Sequence, residues 1–333
     1  MKVLAALAVI AAAIAAAGCG DDESGPLTVY SGREEELVAP LFEQFTAATG
    51  IEVEVRYGDS AELAAAILEE GDGSPADVFF AQDPGSLGAL GEQLAELPQE
   101  TLDRVDAAYR DADGRWVGTS GRSRVLVYNT GAVAETDLPS SVFDLTDPAW
   151  QGRVGIAPTN GSFQAFVTAM RLTAGEERTR QWLLDLQENG ANTYEKNTPI
   201  VEAVAAGEID LGLVNHYYVP LVKQEHPDAP IANHFLELGD PGALVSVAGA
   251  GVLASSDRRG DAEQLVDFLL SDDAQRFYVE EAEEAEYPLV GGIEPAAGLP
   301  PLADLKGPDV DLTTFGPELE KTVELLRETG WLS

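Results

Sequence analysis

The sequence predicts an α/β protein of two lobes, each a mostly parallel sheet flanked by helices, joined by two hinge strands. Short runs of β-branched and apolar residues alternate with longer stretches whose apolar residues recur at helical spacing. Repeated β-α-β units of this kind form parallel sheets covered by helices. The pattern occurs in two blocks, and 333 residues with 45% apolar composition are enough for more than one domain.

The N-terminus predicts export. Lys2 precedes Val3–Ala17, an almost wholly apolar run of about fifteen residues, which is short for a membrane span and typical of a signal peptide. Cys19, the only cysteine, follows small residues as in the lipobox of bacterial lipoproteins. We therefore predict a signal peptide at 1–18 and a polar tether at 19–26. Acylated Cys19 would anchor the protein to the outer face of the cell membrane, or the protein would be periplasmic.

The first block after the tether predicts three strands and two helices. The strands are expected at 27–30, 51–55 and 76–80, and the helices at 34–49 and 60–70. Pro40 is a candidate break in the first helix, and Ser60 is the expected N-cap of the second. This block opens the first lobe, predicted at 27–124.

The second block predicts the other lobe, at 125–244. Its strands are expected at 153–157 and 209–214, and its helices at 162–173 and 176–189. Two apolar stretches, 123–128 and 243–253, are the expected crossings between lobes, so that 245–333 returns to the first lobe. Hinged α/β lobes bind ligand in the cleft between them.

Charge and motifs exclude several function classes. The formal net charge of −38 is opposite in sign to what phosphate-based nucleic-acid binding requires. The sequence contains no Gly-x-Ser-x-Gly, His-Glu-x-x-His, P-loop or cysteine nucleophile motif. We therefore expect a binding protein and not an enzyme.

Five segments in order resemble the ferric-ion-binding proteins of bacterial ABC transporters. They are 27–33 (LTVYSGR), 74–80 (SPADVFF), 120–125 (SGRSRV), 215–218 (NHYY) and 240–244 (DPGAL). The resemblance covers nearly all of the chain after the tether. It implies the type II periplasmic-binding-protein fold, Fe³⁺ as cargo, and an ABC transporter permease and its ATPase as partners. We also expect a monomer.

Tyr217 and Tyr218 are the principal candidate metal ligands. Fe³⁺ is a hard ion that prefers anionic oxygen donors such as phenolate. The pair follows the predicted strand 209–214, at the carboxyl end where open α/β sheets place ligands. Taken alone, a Tyr-Tyr pair is more often ordinary packing, since neighbouring side chains normally diverge on a helix. The resemblance implies that both phenolates bind iron.

Three further residues are candidate ligands. The resemblance places Glu34 where relatives have a histidine, and Gln82 where they have a carboxylate, with Asp83 beside it. Glu34 is equally interpretable as a carboxylate at a helix N-terminus, and Asp83 as a turn residue before Pro84. For His216, which adjoins the tyrosines, a structural or surface role is the favoured interpretation.

An anion site is predicted at the start of the helix 162–173. Backbone N–H groups of Thr159, Asn160 and Gly161, with the Ser162 hydroxyl, can cradle an oxyanion there. Asn160 or Ser162 merely capping the helix is the alternative. The resemblance implies a synergistic phosphate or carbonate, assisted by Asn197 and Asn215. Of Arg122 and Arg124, one is expected to face the anion and the other to form an ion pair. Arg122 is the candidate for the anion.

The rival function keeps this fold and changes the cargo to a small organic solute such as thiamine, a polyamine or a phosphonate. Those sites favour aromatic stacking or carboxylate cages and do not need two adjacent phenolates. The phenol pair therefore decides between the two functions.

Overall fold

The computed structural model describes residues 25–280, 285–305 and 307–333. The predicted signal peptide and Cys19 lie outside the described residues. Within them, no helix combines the length and apolar character that a membrane crossing requires.

The described residues form strands and helices in alternation. The strands are β1 (Leu27–Ser31), β2 (Val53–Tyr57), β3 (Val78–Ala81), β4 (Val117–Asn129), β5 (Val154–Ile156), β6 (Asn192–Thr193), β7 (Leu211–Asn215), β8 (Ile231–His234), β9 (Val245–Val252) and β10 (Tyr287–Pro288). The helices are α1 (Glu35–Thr49), α2 (Ser60–Glu70), α3 (Pro84–Leu90), α4 (Gln99–Leu102), α5 (Gly161–Ala174), α6 (Glu176–Glu188), α7 (Asn197–Ala206), α8 (Tyr218–Glu225), α9 (Arg259–Leu269), α10 (Asp272–Glu280) and α11 (Phe315–Glu328).

Two sheets share the long strand β4. In the first sheet, β1 pairs in parallel with β2 and β3, while β9 pairs antiparallel with β3 and with residues 117–123 of β4. In the second sheet, β5 pairs in parallel with β6 and β7, while residues 124–129 of β4 pair antiparallel with β7 and β8. The partners of β4 therefore change between Ser123 and Arg124.

Burial follows the position of each strand. Every residue of β3, β4 and β7 is buried, because these strands lie in the interior of the mixed sheets with partners on both sides. At the edge of the first sheet, β2 instead alternates half-buried and exposed residues. The central strands thus give rigid supports to the loops at their ends.

The predicted elements were found with small shifts and two corrections. Pro40 does not break α1, because the buried side chains of Val38, Leu41 and Phe42 hold the helix on the sheet despite the lost hydrogen bond. The N-cap of α2 is Asp59 and not Ser60: the Asp59 carboxylate accepts hydrogen bonds from the first-turn N–H groups, and Ser60 is the first helical residue.

Helix α11 contacts elements on both sides of the molecule. Gly316 lies against the backbone of α3, where an added Cβ would come within 2.6 Å of the Gly85 carbonyl oxygen. On the other side, Arg171 of α5 donates to the Glu318 carboxylate at 3.1 Å. The lobe boundaries at 27–124, 125–244 and 245–333 stay a prediction.

Candidate metal and anion site

A cleft of about 310 Å³ lies where loops from the two sheets meet. Oxygen-bearing side chains dominate its lining, and α11 contributes two apolar residues. The lining residues are Asp59, Ser60, Ala61, Gln82, Asp83, Gly85, Ser86, Arg122, Thr159, Asn160, Gly161, Ser162, Gln164, Ala165, Thr168, Asn215, Tyr217, Tyr218, Ser246, Phe315 and Leu319. Most of the predicted site residues are therefore brought together.

The tyrosine pair enters the cleft from the end of β7. Tyr217 immediately precedes α8 and is buried, while Tyr218 begins that helix and is half-buried. The two hydroxyl oxygens lie 3.5 Å apart, and the ring centroids lie 4.5 Å apart at an interplanar angle of 38°. Oxygens at this separation can bind a single ion at about 2 Å each. The two rings pack against each other and do not diverge, although the residues are neighbours in the chain.

Asn215 links the tyrosine pair to the buried side chain of Arg124 by hydrogen bonds. The Asn215 amide donates to the Tyr217 hydroxyl at 3.2 Å, and its carbonyl oxygen accepts from Arg124 at 3.1 Å. Arg124 also donates to the Ser162 hydroxyl at 3.1 Å and to the Leu213 carbonyl at 2.7 Å. Burial lowers the pKa of Arg124 to about 10, while the nearby phenols of the tyrosine pair act in the opposite direction.

The two arginines of the 120–125 segment have different environments. Arg122 lines the cleft, and its Nε lies 3.5 Å from the carboxylate of Glu286. Glu286 also accepts two hydrogen bonds from Arg33, at 3.0 and 3.1 Å. Arg122 thus both faces the cleft and forms the ion pair, whereas Arg124 bonds to the anion loop. Glu286 was absent from the prediction, because nothing local in the sequence distinguishes it from other glutamates.

Burial acts to raise the pKa of Glu286, but the guanidinium groups of Arg33 and Arg122 outweigh it and hold the pKa at about 2. Its carboxylate is therefore ionised at neutral pH. This ion-pair cluster fixes Arg122 at the edge of the cleft, next to the end of β1.

The predicted anion loop lines the cleft from Thr159 to Ser162. The Asn160 side chain accepts from the Ser162 N–H at 3.0 Å, so Asn160 does cap α5. Asn197 donates to the same Asn160 oxygen at 3.3 Å but does not line the cleft. The capping alternative therefore describes Asn160, and the Ser162 hydroxyl also donates to the Asn160 oxygen. The Asn160 N–H donates to the Ala157 carbonyl oxygen at 3.0 Å, which leaves Thr159 and Gly161 as the residues of the loop whose N–H groups suit an anion.

The first sheet contributes helix N-termini to the cleft. The Asp83 carboxylate caps α3, accepting from the N–H and the hydroxyl of Ser86 at 2.8 Å each. The predicted alternative was a turn residue before Pro84, and the structure makes Asp83 a helix cap instead. Carboxylate oxygens keep further lone pairs, so capping leaves Asp83 able to ligate. Gln82 beside it lines the cleft and donates its N–H to the Ser60 hydroxyl at 2.9 Å.

Glu34 does not join this arrangement. It lies exposed at the N-terminus of α1, outside the cleft lining, and its side chain makes no capping hydrogen bond. This position at the start of α1 is the one that the helix N-terminus interpretation predicts, and the role of Glu34 as a ligand stays a prediction. Asp59 and Ser60, by contrast, line the cleft, although the sequence analysis did not single out Asp59 and predicted only a capping role for Ser60.

His216 is a structural residue. It is fully buried, its Nδ1 accepts from the Ser123 N–H at 3.3 Å, and its Nε2 lies 3.1 Å from the Ala285 carbonyl oxygen. Burial lowers its pKa to about 4, so the ring is neutral at pH 7. Within residues 25–280, 285–305 and 307–333, no three His, Cys, Asp or Glu residues form a cluster that could hold a metal. The tyrosine pair is therefore the candidate centre.

Comparison with known proteins places the fold and the site in a family. The model of the bacterial extracellular solute-binding protein family matches residues 74–304. The chain belongs to this family. Among curated relatives of this solute-binding protein, the major ferric iron-binding protein of Neisseria meningitidis is 38% identical, covering 99% of each chain. The Fe(3+)-binding periplasmic protein of Serratia marcescens is 34% identical over 92% of this chain and 90% of its own length.

Solved structures agree with the fold. Iron-bound HitA from Pseudomonas aeruginosa has a TM-score of 0.84 and 37% identity, covering 92% of this chain and 99% of its own. The Trichodesmium protein in complex with iron and citrate has a TM-score of 0.81 and 28% identity, covering 92% and 100%. These likenesses confirm the predicted α/β periplasmic-binding-protein fold. Family membership confirms a solute-binding protein that acts outside the cytoplasm and not as an enzyme.

Proposed function

We propose that this solute-binding protein captures ferric iron in the cleft together with an oxyanion and delivers it to an ABC importer. The observation that carries the proposal is the pair of phenol oxygens 3.5 Å apart in an oxygen-lined cleft. Curated relatives named for ferric iron, and the iron-bound HitA structure, support the same cargo.

The chemistry of the lining suits a hard trivalent ion. Tyr217 and Tyr218, once deprotonated, would supply two negative charges, and Asp83 or Gln82 would add oxygen donors from the opposite side. A phosphate or carbonate at the start of α5, held by the N–H groups of Thr159 and Gly161 and by the Ser162 hydroxyl, would complete the neutralisation. Asn215, Asn197 and Arg122 would orient this anion, directly or through the loop.

Iron binding by phenols releases protons. A phenol must lose its proton before its oxygen binds the ion, so iron affinity falls as the pH falls. We expect about two protons to leave from the tyrosine pair for each ion bound at neutral pH. Proton release in weakly buffered solution measures this number directly.

The decisive experiment is an iron titration followed by visible absorbance. Ferric citrate added to the purified protein should produce a phenolate-to-iron band and raise the melting temperature. Tyr217→Phe and Tyr218→Phe should each weaken iron binding by more than about 100-fold, beyond the loss typical of an outer-shell partner. Tyr194→Phe, outside the cleft, is the matched control and should behave as the unmodified protein.

A colourless protein that iron does not stabilise would reject this function. Stabilisation by thiamine, a polyamine or a phosphonate in the same assay would then support the organic-solute alternative. An unchanged band in both phenylalanine variants would reject the tyrosine pair as the ligands while leaving iron as cargo.

Membrane attachment and transport are the finer parts of the proposal. We propose that Cys19 is acylated, that the anchored protein acts as a monomer, and that it meets a permease and its ATPase at the membrane surface. Cys19→Ser should move the protein from the membrane fraction to the soluble fraction of cells, and should abolish labelling by a fatty-acid analogue. Equal labelling of both forms would contradict the anchor.

A further inference from the structure

Arg124 occupies the junction between the two sheets. It lies where β4 exchanges its β9 partner for β7, and it is 1% exposed. A guanidinium group at full burial carries a large desolvation cost unless an opposite charge accompanies it. The charge partners of Arg124 therefore indicate what the residue is for.

Among the described residues, no carboxylate lies within 4 Å of the Arg124 guanidinium. Its hydrogen-bond acceptors are neutral: the Ser162 hydroxyl, the Asn215 side-chain carbonyl and the Leu213 main-chain carbonyl. This contrasts with Arg122, two residues earlier, which lies beside the Glu286 carboxylate. The buried cation is thus left for negative charge that arrives with the ligand.

Arg124 is connected by hydrogen bonds to both expected sources of negative charge, the anion loop and the tyrosine pair. Ser162 belongs to the anion loop, and Asn215 donates to the Tyr217 hydroxyl at 3.2 Å. One nitrogen of Arg124, Nη1, bonds to both residues at 3.1 Å. A movement of Ser162 on binding an anion therefore reaches Tyr217 through only two side chains.

We propose that Arg124 is a positioning residue: the mutual strengthening of iron and a synergistic anion, which the family resemblance implies, passes between the anion loop and the tyrosine pair through its guanidinium group. This rests on the proposed ferric function. The anion draws Ser162 and Arg124 into one arrangement, which fixes Asn215 and with it the Tyr217 oxygen. The same buried cation offsets the charge of the phenolates and the anion together. By linkage, the two binding free energies are coupled reciprocally.

The test measures that coupling. Iron affinity is determined by competition with citrate, at fixed pH, in bicarbonate-depleted buffer with and without inorganic phosphate. In the unmodified protein, phosphate should tighten iron binding by a factor between about 5 and 150, the usual range for coupled sites. Phosphate should also shift the phenolate-to-iron band, because the band senses the ligands around the ion.

Arg124→Lys keeps the charge and removes the planar fork that reaches Ser162, Asn215 and Leu213 at once. We expect the phosphate enhancement to fall to below about twofold and the band shift to disappear, while phosphate-free iron binding remains measurable. Asn215→Ala breaks the same chain on the tyrosine side and should give the same loss if Arg124→Lys does not fold. Arg171→Lys, a buried arginine further along α5, is the control and should keep the enhancement.

The outcomes separate the two proposals. Full phosphate enhancement in Arg124→Lys and Asn215→Ala would overturn the coupling role while leaving iron binding intact. Iron binding by the unmodified protein with no response to phosphate or bicarbonate would also overturn it. Failure of the unmodified protein to bind iron would reject the ferric function itself, and the coupling with it.

Discussion

The two sides of the cleft are built differently. The side from the second sheet, which we call the tyrosine wall, consists of Ser162, Asn215, Tyr217 and Tyr218. Ser162 and Asn215 accept hydrogen bonds from buried Arg124, and Asn215 in turn donates to Tyr217. The side from the first sheet, the capped wall, consists of Asp59, Ser60, Gln82, Asp83 and Ser86. Its two carboxylates are occupied with the N-termini of α2 and α3.

This difference indicates which wall of the cleft already has its binding geometry in the absence of ligand. Hydrogen bonds that run from Arg124 to Ser162, and through Asn215 to Tyr217, hold this part of the tyrosine wall in place before an ion binds. On the capped wall, Gln82 carries no charge, and both carboxylate oxygens of Asp83 already accept hydrogen bonds from Ser86. We infer that the tyrosine wall supplies most of the affinity and that the capped wall adjusts it.

The largest expected effect concerns the buried ion pairs at the edge of the cleft. Glu286→Gln leaves Arg33 and Arg122 without their carboxylate, and we expect a loss of about 3–5 kcal/mol in the free energy of unfolding. Chemical denaturation measures it. Glu318→Gln, which removes a partly exposed partner of Arg171, is the control and should cost less than about 1 kcal/mol. Equal losses would contradict the importance of burial at Glu286.

The next largest expected effect is a pH dependence of the unfolding free energy, caused by the buried histidine next to the tyrosine wall. Burial lowers the folded-state pKa of His216 to about 4 from 6.5, so only the unfolded chain takes up a proton between these values. Stability from this residue is present above pH 6.5 and is lost as the pH falls towards 4, by about 3 kcal/mol in total. Denaturation of the iron-free protein at several pH values measures the slope.

The control for this slope is His216→Gln, which removes the titrating group. Its unfolding free energy should be lower at pH 7 and should change less between pH 6.5 and 4. A slope identical to that of the unmodified protein would show that other groups cause the acid sensitivity.

Charge on the capped wall should sharpen the comparison. Gln82→Glu adds a carboxylate on the capped wall, opposite the anionic donors of the tyrosine wall. We expect iron affinity to rise on the order of tenfold. Competition with citrate measures the change. Gln164→Glu places the same charge elsewhere in the cleft lining and should not strengthen binding. A rise in both variants would indicate a general electrostatic effect and no ligand at position 82.

The smallest effect separates the two roles of Asp83. Asp83→Ala removes the cap of α3 and should lower the unfolding free energy by about 1 kcal/mol, whereas Asp83→Asn keeps a capping oxygen and should cost only a few tenths. If Asp83 also ligates, both variants should weaken iron binding by about tenfold, because both lose the charge. Unchanged iron affinity in Asp83→Asn would leave Asp83 as a helix cap alone.

Much of the fold was predictable because local patterns carry it. The helical spacing around Val38, Leu41 and Phe45 and the alternation from Ile51 to Val55 are properties of short segments. The sequence also pointed to the tyrosine pair and to residues 159–162, which line the cleft, because each is a contiguous motif at the end of a strand. Sequence reasoning did not exclude a helix break at Pro40, since the packing that overrides it comes from distant residues.

The sequence by itself determined the α/β class, the family resemblance and most of the candidate residues that line the cleft. Only the tertiary structure decided the different roles of Arg122 and Arg124, which stand two positions apart in the same strand. Glu286 is 164 positions from Arg122, and Asn215 and Ser162 are 91 and 38 positions from Arg124. The charge state and contacts of a buried group depend on such distant partners, and no local pattern in a single sequence specifies them.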